Sequence, residues 1–278
     1  VKVMAETERM PVLFIGHGSP MNAIEDNAFS RTWRELARSL PRPKAILCIS
    51  AHWETAGTRV TAVEAPPTIH DFGGFPRELF EAQYPAPGSP WLAGEVRRVA
   101  GEAVVEPDED WGLDHGCWSV LKQMYPAADI PVVQMSLDEN AAARAHYEIA
   151  GTLAPLRRKE ILILASGNLV HNLGRVSLRT GSLAGFNDEF GFDWAIEANN
   201  LFKELIEGRF HDRLVDFRSL GPSVQLAIPT AEHYLPMLHA IALRESDEPI
   251  TWFNDTAVAG SLTMTSFRIG TTLAPKKP

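Results

Sequence analysis

Histidine is a frequent metal ligand and a proton carrier near neutral pH. The chain carries nine, and five of them end a strand or open a loop in unusual company. His17 lies in Gly-His-Gly-Ser-Pro, His52 in Ser-Ala-His-Trp and His115 in Asp-His-Gly. His171 closes Ser-Gly-Asn-Leu-Val-His, and His233 begins His-Tyr-Leu-Pro after Glu232. Several such endings in one domain point to a mononuclear metal site with acid/base help.

Each histidine also has a plainer reading. His17, between two glycines, either fills a tight turn or sits where another group can approach the backbone closely. His52 is either a core imidazole bonded to a carbonyl or a ligand, and its strand-end neighbour His17 strengthens the second reading. His171, with Asn168 and Asn172 nearby, suits general acid/base catalysis at a cleft edge or the capping of a polar loop. Asp114 reads as a helix N-cap, with His115 beyond it as a substrate contact. His233 has a rival in Glu232. Two histidines and a carboxylate would form the facial triad of ferrous oxygenases, whereas three histidines also suit zinc. His70 is expected to face the cleft from a loop, and His146, His211 and His239 are solvent-facing or packing residues.

The elements that must position these residues follow from apolar runs and breakers. Strands are predicted at Pro11–Ile15, Ala45–Ser50, Arg59–Val63, Pro131–Ser136 and Ile161–Ala165, with an alternating, half-exposed one at Leu262–Ile269. Helices are predicted at Asn27–Leu40 (Phe29, Trp33, Leu36 and Leu40 at helical spacing), Trp91–Ala103, Gly116–Met124, Ala141–Leu156, Phe186–Glu207 and His233–Leu243. Gly191 is a candidate interruption of the fifth. Glu64–Pro90, rich in Gly, Pro and aromatics, reads as an active-site loop or lid. Alternating strands and helices imply a single α/β domain, residues 11–278 after a polar leader at 1–10, with a mostly buried central sheet flanked by helices. Ligands in such sheets gather beyond the strand carboxyl ends, where His17, His52 and His171 fall.

Composition narrows the classes. With 278 residues, 45% hydrophobic and 22% charged, the chain resembles an ordinary globular protein. A net charge of −9 argues against a general nucleic-acid binder, and no apolar stretch is long enough to span a bilayer. The two cysteines, Cys48 and Cys117, imply no disulfide framework, and a reducing cytoplasm is the expected compartment. Cys48 reads as a buried small hydrophobe, and Cys117 is close enough to His115 for a place in the site wall. The absence of a Cys-x-x-Cys pair, a phosphate-cradling loop or a nucleophile elbow removes zinc ribbons, P-loop enzymes and α/β-hydrolases as first guesses.

Taken in order, the motifs are Gly-His-Gly-Ser-Pro-Met (16–21), Ser-Ala-His-Trp (50–53) and Pro-Pro-Thr-Ile-His-Asp-Phe-Gly-Gly-Phe-Pro (66–76). Tyr-Pro-Ala-Pro-Gly (84–88), Gly-Leu-Asp-His-Gly (112–116), Ala-Ser-Gly-Asn-Leu-Val-His-Asn-Leu (165–173) and Glu-His-Tyr-Leu-Pro (232–236) follow. Together they resemble the class III extradiol ring-cleavage dioxygenases, in the DOPA 4,5-dioxygenase-like branch of bacteria and plants, over nearly the whole chain from about Met10. The resemblance implies a single α/β domain and one divalent metal ion, Fe(II) for activity or Zn(II) as a bound ion, held by His17, His52 and His233. It implies His171 as acid/base, or as a fourth ligand to a resting zinc, and His115 as a catalytic residue in contact with substrate. His70, Phe72 and Phe75 are expected to line the substrate site. The protocatechuate-cleaving relatives use a carboxylate where this chain offers His233. The implied reaction opens a small aromatic diol with O2 to a muconic semialdehyde. The readings that compete with it are a zinc hydrolase and a non-catalytic metal- or peptide-binding protein on the same scaffold. The oligomeric state is not legible in the sequence.

Overall fold

The computed structural model describes residues 9–179 and 181–270, and it shows why runs such as PVLFI and ILILA carry no polar face. The strands are β1 (Val12–Gly16), β2 (Ala45–Thr55), β3 (Thr58–Thr61), β4 (Val105–Asp108), β5 (Val132–Asp138), β6 (Ile161–Gly167), β7 (Ile250–Phe253), β8 (Ala257–Val258), β9 (Leu262–Thr263) and β10 (Ser266–Ile269). The helices are α1 (Ala28–Ser39), α2 (Arg77–Glu81), α3 (Pro90–Ala100), α4 (His115–Met124), α5 (Ala143–Gly151), α6 (Ala154–Arg157), α7 (Asp193–Glu207), α8 (His211–Val215), α9 (Pro222–Ala227) and α10 (Leu235–Ala242).

One eight-stranded sheet runs β4-β3-β5-β2-β6-β1-β10-β7, and β8 pairs with β9 apart from it. Its centre, β5-β2-β6-β1, is parallel. β10 lies antiparallel to both β1 and β7, and β3 meets β5 antiparallel. Side chains alternate between two cores. Val12, Phe14, Leu47, Ile163 and Ala165 pack with α7, α9 and α10 on one face. Leu13, Ile15, Cys48, Leu162 and Leu164 pack with α1 and α4 on the other. A strand buried on both faces has no polar periodicity to show. Helix α1 begins at a capping box, in which Asn27 and Ser30 bond each other's backbone N–H.

Several boundaries differ from the sequence expectation, each for a physical reason. Strand β2 continues past Ser50 because pairing with β5 resumes at Glu54 after a bulge. The Ala141–Leu156 helix is two, broken after Gly151 and restarted around Pro155, which has no N–H to continue the ladder. Residues 189–192 are not helical. Glu189 bridges Val258, Gly191 bridges Gly260, and Phe192 N–H donates to the Gly260 carbonyl at 2.7 Å, so α7 starts only at Asp193. The final strand is split at Met264–Thr265 and is buried rather than half-exposed. Its polar side chains are bonded: Thr265 Oγ1 donates to Asp255, and Ser266 Oγ accepts from Gly16 N–H at 2.9 Å. His233 and Tyr234 form a turn ahead of α10. Of the leader, residues 1–8 lie outside the described residues. Arg9 pairs with Asp247 at 2.7 Å and with Glu245, and Met10 is fully buried.

Met10 is held by a buried cation. Arg157 donates Nε to the Met10 carbonyl at 2.8 Å, Nη1 to the Leu243 carbonyl at 2.7 Å, and both terminal nitrogens to Glu248. Removing one partner of a buried ion pair leaves the other charge unmatched, at about 3–5 kcal/mol. Arg157→Ala is therefore expected to lower the urea midpoint by that equivalent with little change in slope. Among the described residues no helix is long and apolar enough to cross a membrane.

Candidate active site

A strand end, a strand bulge, a helix start and two loop segments deliver the histidines. Gly16 closes β1 against the Met264 backbone, where a Cβ would lie 2.7 Å from the Met264 carbonyl carbon. His17 follows at once, with its N–H on the Gly167 carbonyl at 3.2 Å. His52 stands in the bulged part of β2. His115 is the first residue of α4, and Asp114 caps that helix by accepting from Cys117 N–H at 3.1 Å, as expected of an N-cap. Asp114 is buried and also accepts from Ser50 Oγ and Gln134 Nε2 at 2.7 and 2.6 Å. Burial pushes its carboxyl up to about 6. His233 reaches the site because Gly167, at the end of β6, lets the chain pass: a Cβ there would sit 2.2 Å from the His233 carbonyl oxygen. His171 is pinned through its N–H to the Ala227 carbonyl at 2.9 Å.

All five side chains line one cavity of about 310 Å³, together with Asp71, Phe72, Phe75, Phe186 and Leu262. Ligand-type atoms of His17, His52 and His115 lie within 4.8 Å of one another, and so do those of His171, Glu232 and His233. The ring centres of His17, His52 and His233 are separated by 5.0, 5.4 and 4.9 Å. His52 and His115 are closer, at 3.8 Å, and His171 stacks on His233 at 3.5 Å with planes 6° apart.

The far nitrogens are engaged. His17 Nδ1 is 3.0 Å from Ser166 Oγ, and His233 Nδ1 is 3.0 Å from Glu232 Oε1. Asp71 Oδ2 is 2.9 Å from His115 Nδ1 and 3.4 Å from His52 Nδ1. The Nε2 atoms of His17 and His52 meet at 3.1 Å. Burial, reinforced by the neighbouring imidazoles, holds His17 and His233 well below the ordinary histidine value. Burial likewise takes His52 to about 3 and His171 to about 4. Neutral imidazoles with Nδ1 turned to oxygen and Nε2 turned inward are what a divalent cation requires of histidine ligands. The donor set fits a metal ion.

His70 does not join them. Its Nε2 lies 2.9 Å from the Ala82 carbonyl, an acceptor only, so the ring donates there and packs edge-on to Phe72 and Trp118 instead of lining the cavity. Cys117, on the core-facing side of α4, is fully buried and forms no part of the wall. Phe72 and Phe75 do line the cavity, in edge contact at 5.4 Å. His146 and His239 pack against each other in the interior, and His211 bonds the Tyr147 hydroxyl. Asp71 and Ser166 escaped the sequence reading, although both sit inside motifs that carried it. Asp71 neighbours the more conspicuous His70, and Ser166 ends the apolar run of β6. Burial works to raise the Asp71 carboxyl, but the bonds from His115 hold it below the usual carboxylate range.

Comparison with known proteins gives a consistent result. The family model described as the catalytic LigB subunit of aromatic ring-opening dioxygenase matches residues 11–248. A 4,5-DOPA dioxygenase extradiol of Escherichia coli (strain K12) is 45% identical over 272 residues, covering 96% of this chain and 97% of that protein. A protein of the same name from Beta vulgaris is 37% identical, over 81% of this chain and 83% of its own length. The crystal structure of an uncharacterized protein from Escherichia coli K12 superposes with a TM-score of 0.78 at 39% identity, covering 94% of this chain and all of that one.

Proposed function

We propose, from the premise that this chain belongs to the LigB family of aromatic ring-opening dioxygenase subunits, that it opens a catechol next to its diol and yields a muconic semialdehyde. It is a non-haem, metal-dependent extradiol dioxygenase, acting on an aromatic substrate with O2. The observation that carries the finer reading is the single cavity in which Phe72 and Phe75 face a cluster of inward-turned imidazoles.

The ligand set proposed is His17, His52 and His233. With the nitrogen about 2.1 Å from an ion, imidazoles at tetrahedral or octahedral angles have ring centres roughly 4.5–5.2 Å apart. The separations of 5.0 and 4.9 Å fall within that span and 5.4 Å lies just beyond it, which supports this set over any pairing at 3.5 or 3.8 Å. The 3.8 Å between His52 and His115, and the 3.5 Å stack of His171 on His233, are too short for paired ligation and favour working roles beside the ion. Glu232 then acts through His233 Nδ1 rather than as a ligand. When bound, a divalent ion lowers the pKa of a coordinated hydroxyl, and a ferrous ion also supplies the redox chemistry for O2.

The chain's own groups do the rest. Phe72 and Phe75 receive the ring by edge and face contact. His115, with Nδ1 on Asp71, offers Nε2 to a substrate hydroxyl. His171, neutral in its stack, exchanges a proton at the reacting carbon–oxygen centre. Both oxygen atoms of O2 end in the product. Anaerobic loading with Fe(II), followed by an oxygen electrode and a panel of simple catechols, tests the reading: the expected result is oxygen uptake with a yellow semialdehyde. No uptake with any catechol would sink it and leave the zinc hydrolase and the non-catalytic binding protein as the competing readings.

The 64–90 segment is proposed as the lid. Thr68 bridges Leu113, and Trp118 Nε1 holds the Ile69 carbonyl at 2.8 Å, so one end is anchored. Gly73 and Gly74 have open space around them, and Gly74 has φ +79°. Chymotrypsin cleavage within Ile69–Phe75 is expected to slow when catechol is added to the zinc-loaded protein; unchanged cleavage at saturation would count against closure. Two free, buried thiols support a reducing cytoplasm as the working compartment.

A further inference from the structure

Asp71 reaches two of the clustered histidines, His115 and His52. Its Oδ1 accepts the His115 backbone N–H at 2.8 Å, and its Oδ2 lies 2.9 Å from His115 Nδ1 and 3.4 Å from His52 Nδ1. An ionised carboxylate can only accept, so the His115 nitrogen bonded to it carries the hydrogen. The nitrogen of His115 left without one is Nε2, on a ring that lines the cavity. We propose that Asp71 is the positioning residue of this site, locking His115 in the Nδ1–H tautomer so that a bare Nε2 meets the substrate hydroxyl.

The step this permits is a simple transfer: the hydroxyl O–H bond breaks, an Nε2–H bond forms, and the electron pair stays on the substrate oxygen. The positive charge that appears on the ring faces the Asp71 carboxylate. The same oxygen lies 3.4 Å from His52 Nδ1, so the loop that carries Phe72 also borders a proposed ligand of the metal. This inference rests on the extradiol reading of the cavity.

Asparagine separates positioning from bulk. Asp71 offers two acceptors and both are used; Asn offers one acceptor and one donor. In Asp71→Asn either the His115 backbone N–H loses its partner or the ring turns to the Nε2–H tautomer. Two-bond proton–nitrogen spectra of zinc-loaded protein, which does not turn over, read the tautomer directly. The expected result is Nδ1–H for His115 in the wild type and a shift toward Nε2–H in D71N, with melting temperature retained. Ring opening by the iron-loaded D71N protein is expected to fall about 10- to 100-fold, the usual loss for a partner behind a metal-site histidine. A wild-type ring protonated at Nε2 overturns the proposal whether or not the variant folds, and so does a folded D71N protein with an unchanged rate. If the wild-type iron form opens no catechol while the spectra show Nδ1–H, the functional reading has failed and the tautomer assignment stands.

Discussion

His233→Ala protein is expected to emerge from purification with only traces of metal and no measurable ring opening, while keeping its fold. His233 is buried, and its loss removes one of three nitrogens whose ring spacing suits a single ion. Two remaining histidines cannot hold a divalent ion in competition with chelators, so the activity loss should be complete and should not be rescued by modest added iron. The fold should survive because the turn at 232–234 is set by the backbone: Asn168 N–H donates to the His233 carbonyl at 2.8 Å, whatever the side chain. His17→Ala and His52→Ala should behave alike. Glu232→Ala is the informative companion. A residue that only orients a ligand costs about 10- to 100-fold in metal affinity, so this variant should bind weakly and recover at high metal. Elemental analysis of the four proteins decides. Stoichiometric metal in His233→Ala with none in Glu232→Ala would make the carboxylate the ligand.

His171→Ala should do something different: keep the ion and the catechol, and lose about two to four orders of magnitude in rate. Its ring lies flat on His233 at 3.5 Å, too near for both to ligate and well placed to reach whatever His233 helps to hold. Burial keeps it neutral, so it can take a proton and return it. His171→Gln restores polarity and approximate length but not a group that can take up and return a proton, and is expected to do no better than Ala. Single-turnover rates with anaerobically preloaded catechol isolate the step. Equal rates in His171→Ala and wild type would leave the dioxygenase intact and move proton transfer elsewhere, with His115 next in line.

The parts of this site that were legible in the sequence are those whose chemistry is loud. Histidines flanked by glycine, asparagine or a strand end are rare enough to draw notice one by one, and His17, His52, His115, His171 and His233 do share a cavity. What stayed silent was orientation. His70 and Asp71 are adjacent, and nothing in their types says that the imidazole turns outward to the Ala82 carbonyl while the carboxylate turns in. The α/β class and the buried central strands were readable from apolar runs. The break of the 141–156 helix was not read, and that of the 186–207 helix was legible only as a candidate interruption at Gly191, because its extent depends on backbone pairing with Gly260, a partner far along the chain. Strands β4 and β7 are short, and β4 contains Pro107, so neither shows a period long enough to recognise.

The antiparallel seat of β10 beside β1 has a consequence for the life of the protein before it ever meets substrate. The Gly16 amide, one residue from His17, is bonded to Ser266 across a separation of 250 residues. While the chain is being made, the first strand of the site therefore waits with one edge bare until β10, 250 residues further on, has been translated. Contacts of such span form late and slowly, and an apolar strand with an open edge is a template for pairing with other chains. A ribosome stalled short of Ser266 would expose that edge, and chains released there would be clients for holding chaperones rather than partly active enzymes.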